Sequence, residues 1–154
     1  MFYIGSLSIG SHDISLNCGQ IIKKSQVDAA NRVLTQLRQA VSPEFLGLVS
    51  TSGHPISIYA SLDMLDADAI GSLAASSFAA TRLLAHMMNE AEFTVMFHEG
   101  SDLNVHIAQV SEEVLLVVCF SRAAEIGKVR LISKKAASAL NVIMTTAGDQ
   151  NGPH

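Results

Sequence analysis

The stretch that decides the fold of this chain runs from Asp66 to Asn89 and reads DADAIGSLAASSFAATRLLAHMMN. At about 100° per residue, its apolar spacing predicts one long helix. No charged residue occurs between Asp68 and Arg82, so the side facing away from the core has no charge to keep it in water. The predicted inward stripe comprises Ile70, Leu73, Ala74, Ser77, Thr81, Leu84, Ala85 and Met88, and the predicted outward side carries Ser72, Ala75, Ser76, Ala79 and Leu83.

An uncharged outer side has two interpretations. Small side chains let another backbone approach closely, which favours a helix covered on one side by its own fold and on the other by a partner. Alternatively, the helix is rich in alanine only for its helical propensity. The helix by itself does not choose between these interpretations.

The composition describes one compact domain. The chain has 154 residues, of which 49% are apolar and 16% charged, and its formal net charge of −4 argues against sequence-independent binding to nucleic acid. Cys18 and Cys119 lie too far apart for a metal or redox motif, and the apolar run around Cys119 favours a buried thiol. No secretory signal and no membrane-spanning run of about 20 apolar residues is present. We therefore expect a cytoplasmic protein without membrane association.

Helical and strand periodicities predict the element order α-β-β-α-β-β-β-α. Short turns make consecutive strands antiparallel, and the unbroken apolar run Val114–Phe120 indicates a central strand that is buried on both faces. The sequence thus predicts an α+β fold, a five-stranded antiparallel sheet with helices on both faces. A capping box of Ser25 and Asp28 would start the first helix. The predicted elements are a helix from Ser25 to Pro43, strands Phe45–Ser50 and Pro55–Ser61, the helix quoted above, strands Phe93–His98, Leu103–Gln109 and Val114–Phe120, and a helix Ala123–Met144.

The two ends of the chain are expected to lie outside this unit. Residues 1–20 are interpreted as an N-terminal extension, which is either an extra strand or hairpin or a partly ordered tail. Residues 21–147 form the domain, and the Gly-, Asn- and Pro-bearing residues 148–154 are expected to be a disordered tail.

No catalytic or metal-binding motif is found. Counting back from the turn pairs His98 with Leu103 and His106 with Val95, which puts the two imidazoles on opposite faces of the sheet. The sequence has neither a G-x-S-x-G elbow nor a G-x-x-x-x-G-K-[ST] phosphate loop. We therefore expect no metal, no cofactor and no enzymatic activity of its own.

The cations of two predicted helices each allow more than one interpretation. Lys128, Arg130, Lys134 and Lys135 could form a patch for an acidic partner, but a run of this kind is more often a solvated helix face, the interpretation favoured here. Arg82 could act as an arginine finger in a nucleotide site. The commoner role is a rim residue paired with Glu90 or with solvent.

Four stretches in this order resemble a known family over roughly residues 25–145. They are Leu48–Gly53 with Ile58, Ser72–Ala75 with Ala79–Ala80, Glu92–Phe93 with Phe97–Gly100, and Val114–Val118 with Phe120, Gly127, Val129–Leu131 and Lys134–Ala136. The resemblance is to the roadblock / dynein light chain domain family, and within it to the bacterial MglB-type regulators of Ras-like GTPases.

The resemblance implies a homodimer, possible higher oligomers, and a small Ras-like GTPase of the MglA type as partner, in cell polarity or motility. In such a protein the long helices of two subunits form the track on which one GTPase sits, and the activator remodels the GTPase without donating an arginine. The implied GTPase-binding residues are Ser72, Ala75, Ser76, Ala79, Arg82, Leu83 and His86, and the implied dimer contacts are Phe93, Val95, Phe97, Ala80 and Met87. The alternative is a roadblock-type scaffold that binds a GTPase, or another roadblock protein, without stimulating hydrolysis.

Overall fold

The computed structural model describes residues 14–15, 21–61 and 66–146. Seven strands and three helices occur among them. In chain order these are β1 (Ile14–Ser15), β2 (Ile21–Ile22), α1 (Lys24–Val41), β3 (Phe45–Ser50), β4 (Pro55–Ala60), α2 (Ala67–Met87), β5 (Val95–Glu99), β6 (Leu103–Ser111), β7 (Val114–Ser121) and α3 (Ile126–Thr145).

Five antiparallel strands form the main sheet in the order β4-β3-β7-β6-β5. Residues Val114–Phe120 of β7 are buried throughout, as expected for a strand with a neighbour on each side and helices on both faces. Strand β7 therefore joins the β3–β4 hairpin to the β5–β6 hairpin. The predicted α+β class and the five-stranded sheet are confirmed.

The helices cover the sheet unequally. Helices α1 and α3 pack side by side on one face, over a core that includes Leu37, Leu48 and Leu140. Helix α2 lies alone on the other face, against a smaller core that includes Phe45, Val117 and Phe78. One side of α2 is thus packed on the sheet, and the residues of its opposite side are exposed.

Helix α1 begins one residue earlier than predicted. The Lys23 N–H donates to Oε1 of Gln26 at 2.8 Å. Gln26 therefore caps the start of the helix, where Ser25 and Asp28 are predicted to form the capping box. The same buried side chain donates from Nε2 to the carbonyl of Ile143 at 3.0 Å. Gln26 thereby ties the start of α1 to the end of α3.

Helix α3 begins three residues later than predicted. Ser121 closes a turn at this point, because its carbonyl accepts from the Ala124 N–H at 2.9 Å and its Oγ accepts from the Ala123 N–H at 3.2 Å. The helix then runs from Ile126, with its buried side turned to β6 and α1.

The β5–β6 hairpin pairs in a register that differs from the predicted one. His98 lies opposite Val105 and His106 opposite Phe97, because the turn starts at Gly100, whose N–H donates to Oδ1 of Asn104 at 3.2 Å. The shift is by two residues, so every side chain keeps its face. The two imidazoles lie on opposite faces of the sheet, as predicted.

Part of the N-terminal prediction falls on described residues. Strand β1 pairs with β2 in an antiparallel ladder of two residue pairs, Ile14 with Ile22 and Ser15 with Ile21. Ile22 is fully buried against the core beneath α1 and α3. The other residues of the predicted extension, 1–13 and 16–20, and the predicted tail, 148–154, lie outside the described part of the chain.

Candidate functional site

Helix α2 approaches the sheet through small side chains. Its buried residues are Gly71, Ala74, Ala75, Phe78 and Ala85. A Cβ on Gly71 would lie 3.0 Å from the carbonyl oxygen of Gly53, so glycine at this position permits the close approach of helix and hairpin. The Asp66 carboxylate caps the helix by accepting from the Ala69 N–H at 3.1 Å.

Large apolar side chains on α2 face outward, which corrects the predicted inward stripe. Leu73 is 67% exposed, Leu84 51% and Met88 60%, although all three were predicted to face the core. Ala75, predicted to face outward, is only 6% exposed and packs against the sheet. The helix therefore carries more apolar surface on its free side than its sequence had suggested.

Two parallel stripes make up the free side of α2, and every residue in both is exposed. Both repeat at spacings of four and three, the spacing of helices that pack against other helices. The small-residue stripe is Ser72, Ser76, Ala79, Leu83 and His86, and the leucine–methionine stripe is Leu73, Ser77, Ala80, Leu84 and Met87.

The leucine–methionine stripe lies on the side of α2 nearer to β5. The hydroxyl of Thr81 donates to Sδ of Met96 on β5 at 3.0 Å, and Thr81 shares its side of the helix with Ser77 and Leu84. Strand β5 is an edge of the sheet, and Val95 at its start is 42% exposed. Apolar helix surface and an unpaired strand edge are thus adjacent.

The other four residues predicted to make dimer contacts do not all lie beside the β5 edge. Phe93 precedes β5, which begins at Val95 rather than at Phe93 as predicted. The ring of Phe97 points into the core under α1 and α3, where its centroid is 6.2 Å from that of Phe120. Ala80 and Met87 lie on the leucine–methionine stripe.

Arg82 lies at the border of the free side. Its exposed side chain lines an open groove of about 450 Å³ with Glu92, Gln109 and Glu112, at the corner where β6 extends past β5. Among the described residues no carboxylate is within ion-pair distance of Arg82, including Glu90. The guanidinium is therefore available to a partner.

The titratable groups of the described residues do not form a metal-binding cluster. No group of three or more His, Cys, Asp or Glu side chains among them is arranged to hold a metal ion. Cys119 is buried, and burial raises the pKa of its thiol to about 11, which keeps it protonated and unreactive at neutral pH. None of the three helices combines the length and apolarity needed to cross a membrane.

A five-stranded antiparallel sheet with two helices on one face and one free helix on the other is the architecture of a roadblock-type domain. The Roadblock/LC7 domain model matches residues 31–120, more than half of the chain, and the chain belongs to this family.

Similar solved structures agree with this assignment. Myxococcus xanthus MglB is 31% identical, with a TM-score of 0.75, and the match covers 80% of this chain and 93% of that one. The gliding protein MglB of Thermus thermophilus is 27% identical over 80% and 93%, with a TM-score of 0.73. A structure described as MglB with tetrameric arrangement is 29% identical over 82% and 95%, with a TM-score of 0.74. A search of curated protein sequences gives no significant match.

Proposed function

We propose that this protein is a homodimeric regulator of a small Ras-like GTPase of the MglA type, acting in cell polarity or motility. The observation that carries the proposal is the free side of α2, which exposes two uncharged stripes with helix-packing spacing. The similarity of the whole chain to MglB structures supports the same proposal. An exposed apolar strip of this length on a soluble domain is typical of a protein–protein interface.

The dimer forms through the leucine–methionine stripe and the edge of β5. Leu73, Leu84 and Met87 are each more than half exposed, and burying such side chains contributes about 25 cal/mol per Å² of apolar surface. Pairing of two β5 edges satisfies backbone groups that are otherwise unpaired and joins the sheets of two subunits. Because both features lie on the same side of the molecule, one two-fold contact can bury them together.

The GTPase docks on the small-residue stripe. In the dimer, the stripes of the two α2 helices lie near each other and form a broad, nearly uncharged surface. Ser72, Ser76 and Ala79 allow close approach of a partner backbone, while Leu83 and His86 provide contact area. Ala75 is omitted from this surface because it packs on its own sheet, and Arg82 lies at the rim.

Catalysis belongs to the GTPase in this proposal. The small-residue stripe carries no Lys or Arg that could stabilise the charge of phosphoryl transfer, so the regulator acts by favouring the GTPase conformation whose own groups are aligned. The regulator can shift the GTPase only by as much as it binds the aligned conformation more tightly than the other conformations.

Single-turnover GTP hydrolysis tests the proposal. An MglA-type GTPase loaded with GTP is mixed with the protein in excess, and the rate is compared with that of the GTPase alone. A faster rate with the complex present supports an activator. An unchanged rate with a stable complex identifies a scaffold, and the absence of any complex refutes the proposed function.

Arg82→Ala distinguishes a rim residue from an arginine finger. Since Arg82 lies at the border of the docking surface, we expect a modest loss of affinity and an unchanged maximal rate. A fall of about 10³-fold in the maximal rate would instead assign the guanidinium to the transition state.

A further inference from the structure

An open groove lies between α3 and strands β5 and β6, on the face of the sheet opposite α2. Its volume is about 630 Å³, within the range of about 300–1,000 Å³ common for small-molecule sites. Residues from both layers line it, among them His106, Ala108, Val110, Arg130, Leu131 and Lys134. This groove is separate from both stripes of α2, so the inference does not depend on GTPase regulation. Thr94 and Val95 also line the groove, so it borders the β5 edge that is proposed for the dimer contact.

The charge of the groove is opposite to that of the whole chain. Arg130 and Lys134 are one helical turn apart and both line it, whereas no Asp or Glu does so among the described residues. Neither cation has an ion-pair partner in the described part of the chain. A protein with a net charge of −4 thus presents a purely cationic recess at this point.

A buried imidazole supplies an independent indication of a ligand. His106 lines the groove, is only 1% exposed, and has no hydrogen-bond partner for either ring nitrogen among the described residues. Buried polar atoms are nearly always paired in proteins, so an orphaned imidazole beside two cations requires an explanation. Burial and the nearby Arg130 both lower the pKa of His106, which keeps the ring neutral.

Apolar side chains form the other half of the lining. Ala108 and Val110 lie at the base on β6, and Leu131 on α3 is 55% exposed at the rim. A cationic end beside an apolar base matches a ligand that has an anionic head and an apolar body.

We propose that this groove binds a small organic anion. Its carboxylate or phosphate group lies between Arg130 and Lys134, within reach of His106, and its apolar portion lies against Ala108 and Val110. Arg130 presents a planar fork of donors suited to either anion, and Lys134 adds a second positive charge.

Titration of the intact protein with phenyl phosphate, benzoate and inorganic phosphate tests the site. Binding is measured by calorimetry and by the NMR signals of the His106 ring. We expect saturable binding of phenyl phosphate or benzoate, at least about tenfold tighter than inorganic phosphate because the ring fills the apolar base. We also expect the His106 signals to shift and its protonation to move to higher pH, since a bound anion offsets the charge of Arg130.

Two double variants of equal charge change complete the test. R130Q/K134Q removes the cations of the groove, whereas K128Q/K135Q removes two lysines of the same helix that do not line it. We expect the first to weaken binding at least about tenfold and the second to change it less than about twofold. The proposal is overturned if no aromatic anion binds saturably, if the His106 signals do not respond, or if both double variants lose affinity equally.

Discussion

Two glycines set the distance between the β3–β4 hairpin and α2. Gly53, at the turn of the hairpin, has a φ of +91°, a left-handed conformation that side chains disfavour. A Cβ at this position would also lie 2.9 Å from the Cα of Ser72. Gly71 faces the same turn, so the pair allows backbone to meet backbone beneath the start of the proposed docking surface.

Gly53→Ala should destabilise the protein by about 1–3 kcal/mol, because the new methyl group meets both an unfavourable φ and the backbone of Ser72. The free energy of unfolding in urea measures the effect. Gly127→Ala is the matched control, since nothing lies within 4 Å of its added Cβ and alanine favours the helix. Equal losses in both variants would contradict the role given to Gly53.

His106 should make stability depend on pH. Burial and Arg130 lower its pKa in the folded state below the ordinary value of 6.5, so the unfolded chain takes up a proton more readily. The neutral ring contributes its full stabilisation above about pH 6.5, the ordinary pKa of histidine. That stabilisation is lost as the pH falls from 6.5 through the lower pKa of the folded state. The slope from this one proton is at most about 1.4 kcal/mol per pH unit.

Urea unfolding of wild type and of the His106→Leu and His98→Gln variants between pH 7.5 and about pH 5 measures this dependence. His106→Leu should flatten the profile, while His98→Gln, an exposed histidine on the opposite face of the same hairpin, should leave it as in the wild type. A profile unaltered by His106→Leu would exclude His106 as its source.

At the scale of elements, the sequence predicted the strands better than the orientation of α2. The strand Val114–Phe120 is predicted because an uninterrupted apolar run fits a buried strand. The strand Phe45–Ser50 is predicted as one half of a hairpin, because a polar, Gly-bearing link follows it. The face of α2 was misassigned because a helical wheel places the largest apolar side chains inward. In the structure Gly71 and Ala75 face the sheet, and Leu84 lies on the exposed side of the helix.

The hairpin register and the placement of the α3 cations differ from the predictions because both depend on contacts between elements, which local periodicity does not report. In the turn of the β5–β6 hairpin, the Gly100 N–H donates to Oδ1 of Asn104, a side-chain contact that the spacing of apolar residues cannot reveal. The four cations of α3 were interpreted as one solvated face. The structure places Arg130 and Lys134 in a groove and leaves Lys128 and Lys135 outside it, because only the packing of α3 on β6 decides which side is enclosed.

Leu84→Glu should convert the proposed dimer to a monomer without unfolding the subunit. Leu84 is 51% exposed in the single subunit, so the carboxylate costs little there, but it would be desolvated and opposed by its copy in the proposed interface. Light scattering coupled to gel filtration reports the mass. Val142→Glu introduces the same change at a 58% exposed position on α3 and should leave the dimer intact. A dimeric Leu84→Glu protein would argue against the leucine–methionine stripe.

The whole molecule presents different surfaces on its two faces. The free side of α2 carries two stripes without Asp, Glu, Lys or Arg, whereas the α1–α3 face holds a cationic groove. The proposed GTPase surface on the small-residue stripe and the proposed anion site in the groove therefore have no residue in common.

Ala79→Arg should weaken GTPase binding by on the order of 100-fold, because it places a long charged side chain in the middle of a close-packed contact. Affinity for the GTPase loaded with a non-hydrolysable nucleotide measures the loss. Ala139→Arg adds the same side chain to an exposed position on α3 and should bind as the wild type does. A dissociation constant unaffected by Ala79→Arg would remove the small-residue stripe from the interface.

The central place of β7 has a consequence for biosynthesis. Strands β3 and β6 each pair with β7, and no other strand links the two hairpins in the described part of the chain. Until β7 has left the exit tunnel of the ribosome, the nascent chain can form only separate hairpins, in each of which the strand that later pairs with β7 has an edge open to water. The sheet can close only when β7 is available, so the emerging polypeptide is most exposed to chaperones and to self-association just before β7 leaves the exit tunnel.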